Sequence, residues 1–235
     1  MEMITSLDHL VIGGSVGVYE TLLGRRASGG RLRTGNVGLV FTDGVPGLRS
    51  MAFATGDVGK AETMLERRAV AATREGDALA LVGHGVAIAL AAKSADAPSP
   101  FTDEEAACVS ALDHVVVRTP NPERAIAFYA GRLGLDLRLD RSNEKWGARL
   151  LFFRCGDLVV EIAHDLKKGV SDAPDQLWGL SWRVPDVARA NARLKAAGLD
   201  VTEPRDGRRP GSQVFSVKDK TEGVPTLVIG GIGRW

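Results

Sequence analysis

The sequence predicts an α+β fold written as four copies of one strand–helix–strand–strand–strand module. Three observations carry that expectation. The phrase Leu7-Asp8-His9-Leu10-Val11-Ile12 returns as Leu112-Asp113-His114-Val115-Val116-Val117, which marks a duplicated supersecondary unit. Each copy reads as a short β-branched strand and is followed by a helix-like stretch. Further short apolar runs, separated by glycine-bearing turns, recur after each helix.

The elements follow in order. The first unit has a strand at 7–12, a helix near 16–23 and a strand at 37–41. The second opens with a strand at 51–55 and a helix started by Asp57, then strands at 78–82 and 86–90 around the Gly83-His84-Gly85 turn. The stretch 94–110 is polar and proline-bearing at its start and reads as a linker, dividing the chain into 1–93 and 111–235. In the third unit Asn121 suits an N-cap, Pro122 the first helical position and Gly134 the stop, with strands at 148–153 and 158–163. The fourth unit has a strand at 180–184, a helix from Asp186 to Leu194 stopped by Gly198, and strands at 213–217 and 225–229.

Bulk properties bound the function. Hydrophobic residues at 44%, charged residues at 25% and a net charge of +1 describe a globular chain with no electrostatic bias toward nucleic acid or an anionic membrane. The longest apolar stretch, 78–92, is too short to span a bilayer. Cys108 and Cys155 form no metal-binding or redox spacing and fit a reducing cytoplasm. Neither has an evident neighbouring base. Gly13-Gly14-Ser15-Val16-Gly17 lacks the spacing of a dinucleotide loop.

The repeated modules, the opening Leu-Asp-His strand and the run Asn-Pro-Glu-Arg-Ala-Ile-Ala-Phe-Tyr-Ala-Gly-Arg-Leu-Gly-Leu at 121–135 resemble the vicinal oxygen chelate superfamily of glyoxalases, bleomycin-resistance proteins, epimerases and extradiol dioxygenases. The resemblance is stronger from Leu112 to Ile229 than before Lys93. It implies that βαβββ modules pair into two cupped mixed sheets, each around one ligand or metal site. It also implies ligands from the first strand and the last strand of a unit. Carried over, these are His114 and Glu161, with Glu161 as the catalytic carboxylate. Strand alternation agrees, since His114 shares a face with Leu112 and Val116, and Glu161 shares one with Val159 and Ala163.

The remaining ligand positions are empty of donors. They fall near Gly179 and Leu227 in the fourth unit, at Val40 opposite His9 in the first, and near Ser50 and Ala89 in the second. The resemblance therefore implies a divalent ion (Zn, Ni, Mn or Fe) with an incomplete ligand set, or an ion-free arrangement in which Glu161 pairs with His114, Arg149 or Arg183. Two functions follow: a metal-assisted isomerase or lyase using His114 and Glu161, with dioxygenation less suited, or a metal-free binding or resistance-type protein. Trp146, and Trp178 just before the fourth unit's first strand, are candidate aromatic walls. Arg208 and Arg209 are candidate anion contacts in a loop that otherwise reads as a solvated turn. The expected partner is a small molecule, with a second copy of the chain as an alternative source of missing ligands. The N-terminal half reads as a scaffold.

Overall fold

A computed structural model describes residues 3–231. The first unit consists of β1 (Ser6–Gly13), α1 (Val16–Leu23), β2 (Arg31–Arg33) and β3 (Gly38–Thr42). The second has β4 (Gly47–Thr55), α2 (Val58–Arg67), β5 (Thr73–Glu75), β6 (Ala78–Gly83) and β7 (Val86–Ala92). The third has β8 (Ala111–Arg118), α3 (Pro122–Ile126), β9 (Asp136–Asn143), β10 (Ala148–Cys155) and β11 (Leu158–Asp165). The fourth has β12 (Gln176–Arg183), α4 (Val187–Ala196), β13 (Arg205–Asp206), β14 (Gln213–Val217) and β15 (Thr226–Gly230).

Local chemistry sets the helix starts. Asp57, Asn121 and Asp186 stand at the same place in three units, and each side chain accepts from the backbone N–H three residues on, at 2.9, 3.0 and 3.0 Å. Helix α1 departs from this pattern, since the side chain of Ser15 makes no capping bond. It ends instead at Gly24, whose φ of 64° is the left-handed stop that glycine favours. After Ile126 the third helix widens into a π-type turn over Ala127–Arg132, which buries both Phe128 and Tyr129.

The strands form two mixed sheets, ordered β2-β3-β1-β4-β7-β6-β5 and β13-β14-β15-β12-β8-β11-β10-β9. In each, the first strands of two units pair antiparallel (β1 with β4, β8 with β12), and each takes its own unit's last strand as a parallel neighbour. The short strands β2, β5 and β13 and three further details differ from the sequence reading. The first unit has only two strands after its helix, because the Gly29-Gly30 turn, with φ of 55° and 71°, occupies chain that would make another. A strand the sequence did not mark, β9, pairs with β10 and is largely exposed, so it carries little apolar alternation. Strand β12 begins at Gln176 rather than Leu180, so Trp178 lies inside it, at a bulge opposite Val116 and Val117.

One apolar core runs through both halves, from Leu7, Tyr19 and Phe53 to Tyr129, Phe153, Trp182 and Phe215. Arginines bolt the helix ends together. Arg193 of α4 donates to the carbonyls of Thr21 and Leu22 at the end of α1, at 2.7 and 2.8 Å. Arg68 and Arg132 donate to each other's carbonyls at 2.8 and 3.0 Å, linking the ends of α2 and the π-type turn. Asn36 acts as a strand in miniature: its side chain donates to the Leu112 carbonyl and accepts from the Leu112 N–H, both at 2.8 Å. Asn36→Ala leaves the Leu112 N–H unpaired, while the Leu112 carbonyl keeps its Arg183 donor, and a loss of ~1–2 kcal/mol is expected on chemical denaturation. A change inside about 0.5 kcal/mol, the range of an ordinary surface substitution, would contradict that role.

Candidate functional site

Strands β8 and β11 are parallel neighbours with Val159 opposite His114 and Glu161 opposite Val116. Paired residues in a sheet point to the same face, so His114 and Glu161 lie two positions apart on one concave surface. Their side chains converge there, with His114 Nε2 3.6 Å from Glu161 Oε2. Both are mostly shielded, at 16% and 14% exposure.

The orientation of His114 is set from behind. Its Nδ1 lies 2.9 Å from Asp113 Oδ2, an arrangement that puts the proton on Nδ1 and directs Nε2 into the cup. Asp113 is buried and has Arg183 Nε 3.5 Å away. Arg183 is anchored in turn by the carbonyls of Leu112 and Asp157, each at 2.7 Å. Burial opposes a charge on the His114 ring, but the Asp113 hydrogen bond and the charges of Glu161 and Asp113 outweigh it and raise the pKa above that of an ordinary histidine. Glu161→Gln removes one of those charges. The His114 pKa should then fall in an NMR titration, and an unchanged or raised value would contradict the coupling.

A third group joins the pair. Ser181 on β12 is the direct antiparallel partner of His114, so its hydroxyl shares the concave face beside the ring. Its Oγ is buried and has no hydrogen-bond partner among the described residues. A buried hydroxyl without a partner is costly unless a ligand supplies one. A serine within an apolar strand has no sequence signature; only the register reveals it.

The vacant ligand positions fall where the sequence puts them. Pairing of β12 with β15 puts Leu227 opposite Ser181, two residues beyond the level of Gly179. Gly179 is closed to a larger residue, because a Cβ there would lie 2.8 Å from the Pro225 carbonyl oxygen. In the first sheet Val40 occupies the place of Glu161, since Gly38 is opposite His9. In the second unit Ser50 pairs with Ala87, which sets Ala89 two residues further along. Among the described residues no three His, Cys, Asp or Glu side chains are placed to hold an ion together. Two donors facing Gly179 and Leu227 do not fit a resident metal, which takes at least three protein ligands in catalytic zinc sites.

The other candidates are dispersed. Trp146, in the turn between β9 and β10, lies under the Arg208 guanidinium, 4.2 Å from its ring centre, and Arg208 sits between β13 and β14. Strands β9 and β13 are opposite edges of an eight-stranded sheet, about 34 Å apart if the sheet were flat. The sheet therefore coils until its two edge hairpins meet, and the cation–π contact fastens the rim. Trp178 stacks on Arg118 at 4.0 Å, four residues along β8 from His114 and hence about 13 Å from it. Arg209 lies in the 207–212 turn, where its carbonyl accepts from Ser212. Neither alternative partner of Glu161 takes up that role: Arg149 binds Asp140 and Glu123, and Arg183 serves Asp113. His164 points to the opposite face, with Nδ1 3.1 Å from the Thr119 carbonyl, and His84 is an exposed turn residue.

Comparison with known proteins bears on this geometry. Residues 113–215 match the model of the Glyoxalase/Bleomycin resistance protein/Dioxygenase superfamily. The chain is 27% identical over 109 residues to an ethylmalonyl-CoA/methylmalonyl-CoA epimerase of Cereibacter sphaeroides, covering 42% of this chain and 81% of that protein. The Mn(II)-bound glyoxalase from Novosphingobium aromaticivorans superposes with a TM-score of 0.73 at 14% identity, covering 100% of this chain and 84% of that one. A halotolerant catechol dioxygenase gives 0.76 at 13% identity, covering 99% and 89%. At these identities the structural likeness establishes the fold, two cupped mixed sheets of paired modules. No helix among the described residues is long and apolar enough to cross a membrane.

Proposed function

We propose that the chain is a member of the vicinal oxygen chelate superfamily, whose model its residues 113–215 match, and that its C-terminal cup moves a proton at the carbon next to a carbonyl of a small molecule, as an isomerase, epimerase or lyase. The observation that carries this reading is the convergence of His114 and Glu161 at 3.6 Å, with the ring held by Asp113.

Each residue has a role its position supports. The Glu161 carboxylate takes the proton from the α-carbon. The electron pair left behind moves onto the carbonyl oxygen, and His114, as the imidazolium that its raised pKa favours, donates from Nε2 to stabilise that oxygen as an enolate or enol. The Ser181 hydroxyl supplies a second hydrogen bond to the same oxygen. Return of a proton to the same carbon restores Glu161 and gives α-proton exchange, whereas delivery of that proton to the neighbouring carbon gives the isomerised product. The cup residues exclude water from the pair, which strengthens each of these interactions. Because the donor set does not fit a resident ion, no step passes through one.

The epimerase among its relatives makes acyl-CoA thioesters the first substrates to try. Incubating the protein in D2O with a panel of acyl-CoA thioesters and α-keto acids, and following the α-proton by NMR, tests the proposal. Enzyme-dependent exchange in at least one compound is expected, and none across the panel would contradict it.

A second reading, a binding protein without chemistry, draws on the aromatic–arginine contacts of Trp146 with Arg208 and Trp178 with Arg118 at the rim. It predicts tryptophan fluorescence changes on ligand addition with no exchange.

A further inference from the structure

The duplicated phrase brings a second Asp–His pair. His9 Nδ1 lies 2.9 Å from Asp8 Oδ2, as His114 does from Asp113, and a cavity of about 320 Å³ opens beside it. Its walls come from β1, β2, β3 and the 94–99 segment. Register defines what faces it. His9 pairs with Gly38, Gly38 with Arg33, and Val40 with Arg31, so His9, Val40, Arg31 and Arg33 share one face. The equivalent path in the C-terminal sheet runs from His114 through Val159 to Arg154, and from Glu161 to Phe152. The first cup thus has valine in place of the acid and arginine in place of the phenylalanine, and its charge preference is reversed.

Arg33 is the strongest sign of a missing partner. Its side chain is only 13% exposed, yet the acceptors recorded near its guanidinium are the Asp8 carbonyl at 3.5 Å and Asp8 Oδ1 at 3.9 Å. Those distances are long for a group with five donors in a sheltered place. Two acids also border the cavity. Asp8 is engaged by His9 and by the Ser94 N–H at 2.8 Å, and Asp96 lies exposed on the linker. Arg31 reaches the rim with its side chain exposed.

We infer that the N-terminal cup is a second binding site, which takes the oxyanion end of a small molecule, a carboxylate or phosphate, on Arg33, Arg31 and His9. The planar guanidinium of Arg33 pairs two-pronged with the oxyanion, His9 Nε2 contacts it from the sheet floor, and Arg31 closes over it. The site uses no residue of the C-terminal cup, so it stands or falls independently of the proton-transfer reading.

The chain has only four histidines, which makes their ring NMR signals separable. Full-length protein is titrated separately with inorganic phosphate and with propionate, using chloride as the ionic-strength control. A saturable shift of the His9 ring signals is expected with at least one probe, while His114 stays in place. The probe that saturates at lower concentration identifies the oxyanion. Arg33→Met should weaken the response about tenfold or more. Arg31→Met, at an exposed position that leaves the core untouched, should also weaken it, though less. A His9 signal that does not saturate with either probe, or a response retained in both variants, overturns the proposal.

Discussion

Glu161→Gln should lower α-proton exchange by about 10²- to 10⁴-fold, the usual contribution of a positioned general base. The amide keeps the shape of the side chain but cannot accept the proton. Because the ion-pair partner of Glu161 among the described residues is His114, itself a cup residue, the variant should melt close to the wild type. His114→Ala should cost a comparable factor by removing the group that faces the developing oxyanion. The two losses should not add in the double variant, since acid and base act on one transition state. Exchange within about threefold of wild type in Glu161→Gln would show that the carboxylate is a bystander. Circular dichroism of the variant separates that result from misfolding.

Asp175→Ala is expected to have the largest effect on stability. Asp175 is 2% exposed and lies just before β12, where its Oδ1 accepts from Arg124 at 2.8 Å and from the Thr119 hydroxyl at 2.7 Å. Its own N–H donates to the His84 carbonyl at 2.7 Å, clasping the β6–β7 turn of the N-terminal half. Arg124 also holds the carbonyls of Asp172 and Ala173, at 3.2 and 2.7 Å. Removing the carboxylate strands a largely buried guanidinium, a change that typically costs about 3–5 kcal/mol. For a chain of this size that corresponds to roughly 6–20 °C in Tm. Asp175→Asn, which can still accept hydrogen bonds but carries no charge, should fall between the two. A melting point within about 2 °C of wild type for Asp175→Ala would mean that Arg124 finds another partner.

Much of this architecture is legible in the residues themselves. Asp57, Asn121 and Asp186 announce three helices, because a capping side chain acts on N–H groups only a few residues away. The alternation of His114 and Glu161 with apolar neighbours gives each its own face, and alignment of the units marks Val40, Gly179 and Leu227 as vacancies, while the pairing of β8 with β11 brings the two side chains to one face. What escaped the sequence depends on contacts distant along the chain. Ser181 becomes part of the site only through antiparallel pairing with His114, and Arg183 supports Asp113 across the same pair of strands. Trp146 meets Arg208 only because the whole sheet coils. The start of β12 at Gln176 was hidden because Trp178 and Gly179 break the period-two pattern at a bulge. Arg31 and Arg33 look like ordinary surface cations until β2 pairs with β3 and turns them toward His9.

The central claim, that the side chains of the C-terminal cup suffice for proton transfer, is tested most directly by measuring α-proton exchange in D2O before and after exhaustive chelation, for wild type and Glu161→Gln in parallel. The account predicts that wild-type exchange survives chelation unchanged, while Glu161→Gln is slow in both conditions. Wild-type exchange that disappears with the chelator and returns with a single divalent ion would contradict it.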